Sequence, residues 1–176
     1  MGWHPESRFS DIDRPNLYPE QQNRRSKINI LNSKIYVSIK NGVYKAGFPS
    51  GQNIYGQAFD AYFDRLAELD GLLADGRLFL TGESSTETNL RLFPTLYGHD
   101  PVYYLRMKLN GAKMLDYPYL WHWLCRVYAL AGVSSSSSLI HCRQGYFGRS
   151  WKHVIPIGLN FPMSYLEAYS RPELDV

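Results

Sequence analysis

Cysteine is scarce in this chain of 176 residues, and the little it has follows no pattern. Cys125 and Cys142 are the only two. They lack the CxxC spacing of a zinc or redox site and are too few for a disulfide framework, so the reading is a reduced, cytoplasmic compartment with no metal. Long hydrophobic runs are missing as well. No stretch reaches membrane-spanning length, and residues 1–16 are polar and broken by Pro5 and Pro15, unlike an apolar signal segment. Charge of one sign is also lacking: a net +3 spread along the chain gives no basic stripe to neutralise a run of phosphates. Nucleic acid and membrane are therefore excluded as partners. Arg24, Arg25 and Lys27 form the only basic cluster, which reads as a solvated helix face.

Two structural patterns are absent too. No segment alternates apolar and polar residues long enough for a strand, and no glycine-rich turn of the phosphate- or dinucleotide-binding kind occurs. What remains is helical periodicity in a chain long enough to bury a sizeable core, with 14 tyrosines among its aromatics. Ile28, Leu31, Ile35 and Ile39 recur three or four residues apart after Pro19, predicting a first helix that stops at Gly42. Tyr55, Phe59, Tyr62, Leu66, Leu69 and Leu73 form a longer apolar stripe opposite Asp60, Asp64, Arg65 and Glu68, with Gly76 as its stop.

A third helix is expected to begin at Glu87, with Thr86 as N-cap and Asn89 at the third helical position. Pro94 falls deep inside it, which predicts a kink or a break, because proline lacks the amide hydrogen and clashes with the preceding turn. A fourth helix over residues 120–131 lies between Pro118 and Gly132, and the serine run 134–138 reads as a flexible connector. His99, His122 and His153 have no ligand-pair spacing and read as surface or satisfied histidines. The fold class is all-α. Residues 1–16 read as an arm or linker, 17–158 as one helical domain and 159–176 as a tail.

Four segments in order carry a family resemblance: Asn41-Gly42-Val43-Tyr44-Lys45-Ala46-Gly47-Phe48, Leu80-Thr81-Gly82 followed by Thr86-Glu87, Arg91-Leu92-Phe93 with Asp100, and Asp116-Tyr117-Pro118. They resemble the C-terminal domain of the glutathionyl-hydroquinone reductases, the xi-class, omega-like glutathione transferases. The resemblance implies a helical bundle of the glutathione transferase C-terminal kind, without the N-terminal thioredoxin-like domain that carries the family's Cys-Pro-Trp-Ala nucleophile. In that family the thiolate takes glutathione off a glutathionyl-hydroquinone, and a second glutathione resolves the mixed disulfide. Glutathione is thus the implied co-substrate, and an aromatic glutathionyl-quinol the implied small-molecule partner.

By the same resemblance Tyr44 and Tyr146 match positions lining the hydroquinone pocket, where a phenol stacks on the ring and bonds the substrate oxygen. Core packing is the competing reading for both. Thr86, Glu87 and Asn89 resemble the capping box of the long core helix, with Asn where the family has Asp, at a cost of about 0.3–1 kcal/mol in helix-terminus electrostatics. Cys125 and Cys142 read as structural, Cys142 keeping some interest because His141 and Arg143 flank it. No catalytic residue is assigned within the chain, so it is expected to be inactive alone. Pro94, Cys125-Arg126 and Gly145 depart from the family pattern, as in a truncated paralogue, a partial gene model or a pseudoenzyme. The alternative function is a non-catalytic interaction module, with a homodimer or a partner covering the face left vacant.

Overall fold

The computed structural model of the chain describes residues 17–19, 21–148, 154 and 155. The expected arm 1–16, the tail 159–176 and His153 lie outside the described residues. Within them the fold is an all-helical bundle, and one isolated bridge between Phe79 and Gly82 is the only extended pairing described.

Helix α1 (Gln22–Ile35) does not stop at Gly42. It runs through one wide π-turn, Tyr36–Lys40, directly into α2 (Asn41–Gly47). Ile35, Ile39 and Val43 are all buried and four residues apart. In an uninterrupted α-helix that spacing drifts around the axis, and a wider turn returns the three to one face. Gly42 is not a terminator; it packs close to Tyr62, where a Cβ would make an ordinary contact with the ring at 3.8 Å. The Arg24–Lys27 cluster is only partly a solvated face: the Arg25 guanidinium lies 5.0 Å over the Tyr18 ring and donates to the Pro19 carbonyl at 2.7 Å.

Helix α3 (Gln52–Leu73) buries Ala58, Tyr62, Leu66, Leu69 and Leu73 and packs along α2 and α6 (Pro118–Tyr128). Its Asp70 carboxylate accepts from the Leu120 amide at 2.8 Å, so an N–H in the first turn of α6 that has no intrahelical partner is satisfied from 50 residues away. Gly76 follows the helix with φ +89°, the left-handed conformation that suits glycine.

Helix α4 (Glu87–Tyr97) continues through Pro94 for three more residues, so of the expected kink or break it is the break that does not occur. The Lys40 ammonium donates to the Arg91 carbonyl at 3.0 Å beside the proline, and the burial of Leu92, Phe93 and Leu96 against α6 opposes any opening. A second π-turn, His99–Tyr103, follows, with the Gly98 carbonyl accepting from both Val102 and Tyr103 at 3.1 Å. Short α5 (Tyr104–Arg106) leads on to α6. The serine run is no free connector. It forms α7 (Val133–Ser136), where the Ser136 and Ser137 hydroxyls bond back to the Gly132 and Val133 carbonyls, and Ser138 caps α8 (Leu139–Phe147).

Two buried ionisable neighbours begin the second π-turn. His99 donates from Nε2 to the Ala112 carbonyl at 3.0 Å, which fixes Nδ1 as the acceptor of the Tyr62 hydroxyl at 2.9 Å. Burial holds this imidazole down at about 4, while burial also raises the Asp100 carboxyl to about 6 against the opposing pull of the Met114 amide and Lys113. Their linkages have opposite sign. His99 contributes stability that is complete above its unfolded value near 6.5 and lost as pH falls towards 4. Asp100 contributes stability that is complete below its unfolded value of 3.8 and lost as pH rises through about 6.

The two nearly cancel between about pH 4 and 6. Asp100→Asn keeps an acceptor for the Met114 amide, so it is expected to gain on the order of 2 kcal/mol at pH 8 and to expose the His99 slope below pH 6.5. Urea midpoints measured from pH 4 to 8 check both effects, and a variant parallel to the parent across that range would contradict them.

Candidate functional site

Tyr44 stands in the middle of α2, Tyr146 near the end of α8, and Tyr103 closes the second π-turn. Helix α8 packs against that π-turn, which brings three phenols from distant parts of the sequence into one row. The Tyr146 hydroxyl lies 3.3 Å from that of Tyr44 and 3.1 Å from that of Tyr103. The Tyr103 and Tyr146 rings meet edge to face at 5.4 Å. Tyr44 is 49% exposed, so the row opens to solvent at its α2 end and runs inward towards Tyr103.

The environment keeps all three phenols protonated. The bond from Tyr146, ahead of burial, raises Tyr44, whereas burial is the main cause for Tyr103 and Tyr146. Three hydroxyl protons serve two mutual hydrogen bonds, so one proton remains for an external oxygen. The geometry can therefore donate to, and stack against, a small oxygenated ring. Tyr103 was missed from sequence because its only local signal was another aromatic in Asp100-Pro101-Val102-Tyr103-Tyr104.

Burial disfavours the thiolate at both cysteines. Burial pushes Cys125 up to about 12, and burial also raises Cys142, with no offsetting effect from His141 or Arg143. Among the described residues no group of three or more His, Cys, Asp or Glu is placed to hold a metal ion, and no helix is long and apolar enough to cross a membrane.

Thr86 occupies the N-cap position of α4, but its hydroxyl bonds Thr81 Oγ1 at 2.9 Å instead of an amide of the first turn. Asn89 carries the local network. Its Oδ1 accepts from the Trp123 indole at 2.8 Å and from the Leu80 amide at 3.2 Å, and its Nδ2 faces the Thr86 carbonyl and hydroxyl, both at 3.4 Å. Because both partners of Oδ1 can only donate, the orientation of the amide is fixed.

No protein-family model matches the sequence. It is 38% identical over 135 residues to glutathionyl-hydroquinone reductase YqjG of Escherichia coli (strain K12), covering 77% of this chain and 40% of that protein. Glutathionyl-hydroquinone reductase PcpF of Sphingobium chlorophenolicum is 36% identical over 135 residues, covering 77% of this chain and 42% of its own length. The chain is homologous to the xi-class glutathione transferases. Its backbone superposes on the xi glutathione S-transferase of Phanerochaete chrysosporium with TM-score 0.76 at 34% identity, covering 85% of this chain and 51% of that one. The glutathione-bound structure of YqjG gives TM-score 0.76 at 35% identity, over 82% of this chain and 48% of that one. The helical bundle is that of the glutathione transferase C-terminal domain. The chain spans about two fifths of the length of the curated relatives it matches.

Proposed function

We propose that this chain forms the acceptor-binding half of a glutathione-dependent reductase acting on glutathionyl-hydroquinones, with Tyr44 and Tyr146 on the wall that receives the quinol. The observation that carries this reading is the row of hydroxyls joining Tyr44, Tyr146 and Tyr103, open at Tyr44. In the proposed reaction an external thiolate attacks the glutathionyl sulfur, a new S–S bond forms and the C–S bond to the ring breaks. The electron pair of that bond stays with the ring carbon, which takes up a proton. Phenols held in the protonated form suit the task of steadying the ring oxygens during this shift. Glutathione is the co-substrate, the nucleophile comes from a thioredoxin-like unit outside this sequence, and the setting is the cytoplasm.

The chain alone is expected to give no turnover with a glutathionyl-hydroquinone, and fusion behind a thioredoxin-like domain carrying Cys-Pro-Trp-Ala is expected to restore it. In that fusion Tyr146→Phe should lower kcat/KM by about 100-fold, within the usual range for removing a proton donor. A fusion that folds and binds glutathione but stays inert would overturn the assignment.

A second reading, a helical interaction module or homodimer, has its own support. Phe48 and Ile140 are each 69% exposed and offer apolar area to a partner. Sedimentation of the purified chain as a well-behaved monomer at micromolar concentration would remove it.

A further inference from the structure

A second concavity lies at the opposite end of α1 from the tyrosines. Lys27 and Tyr44 are 17 residues apart on one continuous helical run, about 25 Å at the usual rise per residue. The cleft has a volume of about 280 Å³ and an apolar floor of Ile28, Leu31, Leu72 and Leu80. Its rim is cationic: Arg24 and Lys27 come from α1, and Arg77 from the turn after α3. No carboxylate is among its described lining residues.

Two of the cations have charge to spare. Among the described residues Lys27 has no ion-pair partner, and the Arg24 guanidinium reaches only the Ser84 hydroxyl at 3.5 Å. Arg77 is already paired with Asp75 and supplies a fixed edge.

A hydrogen-bond chain ends at the same place. Since Asn89 Oδ1 is committed to two donors, Nδ2 is the donor towards Thr86, where it faces the carbonyl and the hydroxyl alike at 3.4 Å. The Thr86 and Thr81 hydroxyls share one hydrogen bond at 2.9 Å, in which either can donate. One of the pair's two protons is left over, and both threonines line the cleft.

We infer that this cleft is a second ligand site, for a small organic anion with an apolar body, such as an aromatic carboxylate. The ring rests on the aliphatic floor, and the carboxylate meets Lys27 and Arg24 and accepts from the Thr81–Thr86 pair. The volume admits a bicyclic ring but not a ligand of drug size. The inference is independent of the proposed activity, because it uses none of the tyrosines.

Titration calorimetry of the full chain with naphthalene-2-carboxylate tests it, with naphthalene-2-carboxamide as the neutral control. Saturable one-to-one binding of the acid is expected, at least tenfold tighter than the amide. The pair Arg24→Gln and Lys27→Gln should weaken it tenfold or more, and Thr81→Val about threefold, while Tyr146→Phe leaves it unchanged. Circular dichroism of each variant guards against loss of fold, and Lys27→Arg should restore most of the affinity. Equal affinity for acid and amide would overturn the inference. So would an affinity lost with Tyr146→Phe but kept in the Arg24 and Lys27 variants, or no measurable binding.

Discussion

Asn89→Leu is expected to lower the unfolding free energy by about 4 kcal/mol, from the usual cost of orphaning two buried donors at about 1–3 kcal/mol each. The donors are the Trp123 indole and the Leu80 amide, both within an enclosed core where water cannot replace the lost acceptor. Leucine matches asparagine in size but leaves both N–H groups facing carbon. The loss also removes one of two ties between the Leu80 turn and the start of α4, the other being the Thr81–Thr86 hydroxyl bond. Asn89→Asp should be far milder, because one carboxylate oxygen keeps both bonds and a negative charge in the first helical turn is favoured. Guanidinium unfolding followed by near-ultraviolet dichroism measures both variants, and a leucine variant within 1 kcal/mol of the parent would refute the role given to Asn89.

Tyr62→Ala combines two penalties and should cost even more, about 5 kcal/mol. The ring is fully buried, stacks on His99 at 5.5 Å between centroids and meets Phe63 edge to face at 5.2 Å, so its removal leaves a large cavity. Its hydroxyl is also the donor to His99 Nδ1, which is left unpaired. Tyr62→Phe separates the two parts: it keeps the ring and forfeits only the hydrogen bond, so about 1–2 kcal/mol is expected. The alanine variant should be close to unfolded at 37 °C if the parent has ordinary stability. Thermal unfolding of the two variants side by side checks the ratio; equal losses would mean that the hydroxyl, not the ring, governs this part of the core.

The helices whose apolar residues repeat on one face were legible without coordinates. The stripe from Tyr55 to Leu73 became α3, and Ile28, Leu31, Ile35 and Ile39 lie on the core side of the first helix or partly so. The errors fell where a local signal was outweighed by burial. Gly42 and Pro94 are both poor helix residues, yet each sits in a helix whose buried face makes interruption more costly than the local penalty. Helix α8 had little periodicity to announce it, and the serines before it were read by composition alone.

Of the candidate site, Tyr44 and Tyr146 were picked out by resemblance rather than by any pattern in their neighbours. Their meeting, and the arrival of Tyr103 between α8 and the rest of the bundle, could not be read from residues 102 and 43 positions apart in the chain. The cleft at Arg24, Lys27 and Arg77 was equally hidden, since α1 and the turn after α3 must come together before its cations share a rim.

The sequence by itself determined the all-helical class, the core stripe and the ancestry, because helical periodicity and short motifs are local and survive in the order of residues. Only the tertiary structure decided which helices run on, which hydroxyls touch and what Asn89 holds together. Those outcomes depend on burial and on hydrogen-bond partners drawn from distant segments, and neither is written at any single position.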